Sequence, residues 1–211
     1  MLVRHLKYSF FIGLFGLFSA CTEQTSSTAP QTVSVAESMI SQSEVPQSVS
    51  LTLYFWYGCP HCFEFRHYVQ PWLEEWGDKL DVTRVPIALK PSWIDHARAF
   101  YAAQHLGVLA EFHPALYAAL HVQKLQLNSV ATLSEFAGSL GFDAAAFQAA
   151  MLSPATTALI RRDNAAVQRL SIKTTPTLVI NDKQRLSLPT HDGYDALLNQ
   201  ADDIIEQILA L

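Results

Sequence analysis

Two cysteines set three apart, in the run Cys59-Pro60-His61-Cys62, constrain this chain more than any other feature. Thiols at i and i+3 can join only where the backbone turns, and the start of a helix supplies that turn. The flanking residues read that way. Ser50 to Trp56 is a short apolar strand, Gly58 permits the turn, and Pro60 suits the first helical position. Beyond it Phe65, Val69, Trp72, Leu73 and Trp76 recur at helical spacing. Cys59 then falls where unpaired backbone N–H groups and the positive end of the helix dipole converge. Such a place favours the thiolate, which is the reactive form of cysteine.

The third cysteine belongs to a different story. Arg4 and Lys7 are followed by an apolar run, Phe10 to Phe18, that is too short to span a bilayer. Ser19 and Ala20 then precede Cys21. This resembles a bacterial lipoprotein signal (residues 1–20), with Cys21 as the lipidated residue, although Phe18 stands where the lipobox usually has Leu. An ordinary cleaved signal is the alternative. Export places the remaining pair where disulfides persist. Removing Arg4 and Lys7 leaves 14 − 2 = 12 basic residues against 19 acidic ones, so the net charge moves from −5 to −7. That balance excludes the basic footprint of a nucleic-acid-binding protein.

Residues 21–48 are rich in Ser, Thr and Gln and lack aromatic residues, Lys and Arg, which predicts a flexible tether. The folded part is expected from about residue 49. A strand over 50–56, a helix from Cys59 to about Asp78 and a strand from Leu80 to Ala88 make a βαβ unit with a parallel pair. Pro71 inside that helix predicts a kink or break. Residues 92–170 then read as helices only. Ser92 is a candidate cap for a helix ending at Gly107, and a second helix carries Leu109, Phe112, Leu116 and Leu120. Others run from Thr132 to Leu140, from Asp143 to Leu152, and from Ser153 to about Leu170. Strands return at Thr177 to Ile180 and at Gln184 to Leu188, with a turn at Asn181 and Asp182. A final amphipathic helix opens at Thr190 or Asp192.

Strand, CPHC, helix, strand, helical insertion, then Thr174-Thr175-Pro176-Thr177 before a hairpin and a terminal helix resembles the DsbA family of thiol–disulfide oxidoreductases. The likeness covers about residues 49 to 211. It implies an α/β chain with a thioredoxin fold and an inserted all-helical domain: residues 49–91 and 171–211 thioredoxin-like, 92–170 inserted. It implies a catalytic pair in Cys59 and Cys62, with Pro60 and His61 between them. It also implies a cis bond before Pro176, and a Thr175 whose backbone groups pair with a substrate strand.

The chemistry of the residues agrees. A disulfide donor must be more stable when reduced, and each unit by which the Cys59 pKa falls contributes roughly 1.4 kcal/mol to that, or about 30 mV for two electrons. Cys59 is expected to be the exposed, attacking sulfur and Cys62 the buried, resolving one. His61 would place a donor or a positive charge near Cys59. Phe63 is a candidate for an apolar substrate groove. Histidines 96, 105, 113 and 121 read as surface or packing residues rather than ligands.

Two positions depart from the family pattern. Leu53 occupies the place where several relatives carry a buried acid, with Arg84 as the residue that would face it. Thr175 precedes Pro176 where some relatives have an apolar residue; its hydroxyl is a candidate donor to a cysteine sulfur.

The expectation is a monomeric, lipid-anchored periplasmic oxidase. Its substrates would be unfolded or newly exported thiol-containing proteins, and a quinone-linked membrane protein of the DsbB type would reoxidise it. No cofactor is expected. A structural zinc site needs four ligands and there is no second CxxC, so copper or zinc held with His61 and His67 is the weaker alternative. A reductase or isomerase on the same fold, and a purely binding lipoprotein, are the competing functions.

Overall fold

The computed structural model describes residues 48–188 and 193–210. The signal, Cys21, the tether and the positions 190 and 192 expected to open the last helix lie outside them.

The chain runs β1 (Val49–Phe55), α1 (Pro60–Trp76) and β2 (Leu80–Pro86), then α2 (Ile94–His105), α3 (Leu109–His121), α4 (Val130–Ser139), α5 (Ala144–Met151) and α6 (Pro154–Arg169). It closes with β3 (Thr177–Ile180), β4 (Gln184–Ser187) and α7 (Gly193–Leu209). The sheet order is β2-β1-β3-β4, with β1 and β2 parallel and the other pairs antiparallel. This is the thioredoxin fold with helices inserted between β2 and β3.

Alternation along β1 sends Val49, Leu51 and Leu53 to one face, where they meet Phe65, Val69 and Trp72 of α1 and Leu197, Ala201 and Ile205 of α7. Tyr54 and Val179 face the other way, onto Val85 of β2 and Val167 of α6. Asp202 of α7 accepts hydrogen bonds from the indoles of Trp72 (2.6 Å) and Trp76 (2.8 Å), which fixes α7 against α1. In the insertion, α2 has seven buried residues out of twelve, a face far wider than an amphipathic stripe. It is the central helix there, and its Phe100 joins Phe112, Leu116, Leu133 and Phe147 in one cluster.

Helix α1 is continuous through Pro71, so the break expected there as the alternative to a kink is absent. The carbonyl that Pro71 leaves unpaired belongs to exposed His67, where water can satisfy it, and the two tryptophans beyond are held by Asp202. The α-helix ends at Trp76, and a 3-10 turn over Gly77–Lys79 carries it to the expected end near Asp78. Two local expectations need correction. Ser92 caps nothing; it lies in a 3-10 turn over Pro91–Trp93, and α2 starts at Ile94 without a side-chain cap. Helix α4 begins at Val130 rather than Thr132, because Ser129 and Thr132 form a reciprocal capping box. The helices expected from Asp143 and Ser153 start there, each of those residues serving as the N-cap.

Candidate active site

The end of β1 and the start of α1 build the site. Cys59 is the N-cap residue of α1, in extended conformation (φ −83°, ψ 117°), and Pro60 is the first helical residue. The backbone N–H of Cys59 donates to the Trp56 carbonyl at 3.1 Å, closing the turn. Gly58 is required there for room, not for an unusual φ. A Cβ at that position would lie 2.3 Å from the Trp56 ring, which cannot retreat because it stacks on Trp93 at 4.1 Å.

Cys59 and Cys62 are free thiols, 8% and 3% exposed. Cys59 is thus far less open than the sequence reading expected. The loop before β3 folds over it: the Thr175–Pro176 bond is cis, and the Cys59 thiol donates to the Thr175 carbonyl at 3.4 Å. Pro176 is buried, while Thr175 stays half-exposed beside the sulfur.

The two sulfurs differ sharply in acidity. Hydrogen bonding from the Cys62 thiol, foremost, holds the Cys59 pKa at about 5, against a burial penalty that acts the other way. The Thr175 side chain and the backbone N–H groups of Cys62 and His61 add to the depression. Burial, and then proximity to Cys59, pushes the Cys62 thiol far up. One sulfur is poised as an anion and its neighbour as a thiol.

His61 acts on Cys59 through its backbone N–H. Its exposed ring has Nδ1 3.4 Å from the hydroxyl of Tyr194, which itself donates to Glu64 Oε2 at 2.9 Å. Phe63 is half-buried and stacks on His121 at 4.7 Å.

Beneath the pair lies a network that the sequence reading treated only as packing. The Tyr57 hydroxyl pairs with His113 Nδ1 at 2.7 Å, and His121 Nε2 lies 2.7 Å from the Tyr57 carbonyl. Trp56 donates to His96 Nδ1, whose Nε2 meets the Leu127 carbonyl. Burial, with the positive charges of Arg84 and Arg66, lowers the His113 pKa to about 3, so that ring is neutral. The signal was present in the spacing: residues 113, 117 and 121 share one face of α3 at intervals of four. Leu53 and Arg84 are register partners across β1 and β2, as the sequence reading placed them. Among the described residues no group of three or more His, Cys, Asp or Glu side chains is arranged to hold a metal ion.

Comparison with known proteins places this arrangement. The family model described as a DSBA-like thioredoxin domain matches residues 50–202. The chain is 28% identical over 160 residues to the thiol:disulfide interchange protein DsbA of Burkholderia cepacia, covering 76% of each chain. It is 25% identical over 205 residues to the protein of that name from Pseudomonas aeruginosa, covering 97% of each. The crystal structure of Pseudomonas aeruginosa DsbA superposes with a TM-score of 0.73 at 27% identity, covering 78% of this chain and 86% of that one.

Proposed function

The chain belongs to the DSBA-like thioredoxin domain family and is a thiol–disulfide oxidoreductase, and we propose that it works as a disulfide donor to thiol-bearing polypeptides outside the cytosol. One observation carries this reading: Cys59 holds a pKa of about 5 while burial pushes its neighbour Cys62 up. Ionising Cys59 stabilises the reduced pair, so the disulfide is readily handed on.

In the donor reaction a substrate thiolate attacks Sγ of Cys59 in the Cys59–Cys62 disulfide. The bonding electron pair leaves on Cys62, which takes up a proton because its buried thiolate is disfavoured. A second substrate thiolate then attacks the substrate sulfur of the mixed disulfide. The electron pair leaves on Cys59, which remains a thiolate. Two electrons have passed to the protein, and the substrate carries the disulfide. Pro60 fixes the turn that sets the two sulfurs. His61 steadies the Cys59 anion through its amide, and its ring is a donor at the mouth of the site. Thr175 and Pro176 offer extended backbone to a substrate strand lying across Cys59.

Residues 49–91 and 171–211 form the thioredoxin-like domain of this reading, with 92–170 inserted. Residues 1–20 are the export signal, Cys21 carries the lipid, and 21–48 are the tether. The protein is then a monomer anchored to the membrane in the periplasm and reoxidised by a quinone-linked partner of the DsbB type.

Equilibration of the pair against glutathione tests the donor role. A potential well above the roughly −270 mV of a reducing thioredoxin supports it, and one at or below that value overturns it. Cys59→Ser should abolish oxidation of a reduced test protein; activity left intact would point to a binding function. Membrane fractionation of Cys21→Ser tests the anchor, which is lost if the variant becomes soluble.

A further inference from the structure

Behind Cys62 a cavity of about 780 Å³ opens between α1 and α3. Leu53, Phe55, Cys62 and Phe65 line its inner end, and Leu109 and Tyr117 form the α3 side. His67, Gln70 and Pro71 of α1 and Ala110 of α3 are exposed and mark its mouth.

Two guanidinium groups, Arg66 and Arg84, also line this apolar space, and no Asp or Glu does. Neither arginine belongs to either of the ion pairs found among the described residues, Arg98–Asp95 and Arg162–Asp163. The Arg66 Nε is buried without a hydrogen-bond partner, and its guanidinium lies over the rings of Phe63 and Tyr117 at 5.1 and 4.6 Å. Arg84 Nη2 donates to Gln70 Oε1 at 3.5 Å, the outer limit for such a bond. Across the ladder Leu53 offers it no charge. The remaining titratable lining groups are Cys62, Tyr117, His67 and His113, and the two arginines help to keep His113 neutral.

Two like charges beside apolar side chains, without a counter-charge, are costly to keep there. An anion supplied from outside removes that cost through charge-assisted, bidentate contacts. The volume lies within the range of small organic ligands and far exceeds that of an inorganic ion. We infer that the cavity between α1 and α3 binds a small organic carboxylate, its head held by Arg66 and Arg84 and its hydrocarbon body among Leu53, Phe65, Leu109 and Tyr117. This binding stands without the redox assignment.

Isothermal titration of the reduced full-length protein with phenylbutyrate tests it, with phenylbutanol and sulfate as comparison probes. Saturable one-to-one binding of the acid is expected, with the alcohol weaker by about tenfold or more. Arg84→Gln and Arg66→Gln should each weaken the acid by about tenfold and leave the alcohol unchanged. Both replacements remove the charge and keep a polar amide on a shorter lining side chain, so the alcohol controls for the change in shape, and far-ultraviolet circular dichroism checks their folding. The proposal is overturned if no saturation is reached by about 10 mM, or if acid and alcohol bind alike. It is also overturned if sulfate binds as tightly as the acid, or if both folded variants bind the acid as the parent does. Should a variant not fold, the acid–alcohol comparison on the parent decides.

Discussion

The sulfur of Cys59 meets the backbone carbonyl of Thr175 at 3.4 Å, across 116 residues of sequence. This contact joins the turn between β1 and α1 to the loop before β3, on either side of the helical insertion. The carbonyl accepts from the thiol, while hydrogen bonding by the Thr175 side chain favours the anion. Thr175 therefore holds both protonation states in place.

Thr175→Val keeps the shape of that residue and removes its hydroxyl. The Cys59 pKa should rise, by up to about one unit. Thiolate absorbance titrated against pH in the reduced protein reads this directly. An unchanged curve would leave the cysteine and backbone contacts as the whole cause.

The depressed pKa also ties stability to pH. Cys59 is near 9 in an unfolded chain and about 5 in the folded one. Its stabilisation of the reduced protein is complete above about 9 and is lost as pH falls toward 5. The melting temperature of reduced parent minus that of reduced Cys59→Ser should climb with pH across this window. A flat difference would contradict an acidic Cys59.

His113 gives a second test of the same sign in a lower pH window, read in the oxidised protein so that Cys59 does not titrate. Its folded pKa of about 3 lies below the ordinary value of 6.5, because burial disfavours the cation. Its neutral ring therefore costs nothing above about pH 6.5, and the penalty grows as pH falls toward 3. Replacing its partner, as Tyr57→Phe, leaves His113 Nδ1 without its 2.7 Å contact and should cost about 1–3 kcal/mol in urea unfolding at neutral pH.

Asp202→Ala removes the acceptor shared by Trp72 and Trp76. A loss of about 1–3 kcal/mol is expected, with an unchanged urea m-value. Asp202→Asn, which keeps an acceptor oxygen, should recover part of it.

Phe112 is fully buried in the core of the insertion, against Phe136 and Phe147. Phe112→Ala should cost about 3–5 kcal/mol by urea unfolding, because the rings around it cannot close the space.

By itself the sequence determined the order of elements, the position of the CPHC pair at a helix start, and the helix starts at Asp143 and Ser153. Those rest on local forces, apolar periodicity and hydrogen bonds within a few residues, that can be read along the chain. The facing of Leu53 and Arg84 was an expectation from the family resemblance, and the parallel register of β1 and β2 agrees with it. Continuity through Pro71 was not legible, because it depends on solvent at His67 and on an aspartate about 130 residues away. The shielding of Cys59 by Thr175 and the hydrogen-bonded histidines around Tyr57 were likewise decided only in three dimensions. So was the lack of an acidic partner for Arg66 and Arg84 among the described residues: a charge reads the same in sequence whether or not an acid reaches it, and only packing fixes which partners lie within a few ångströms.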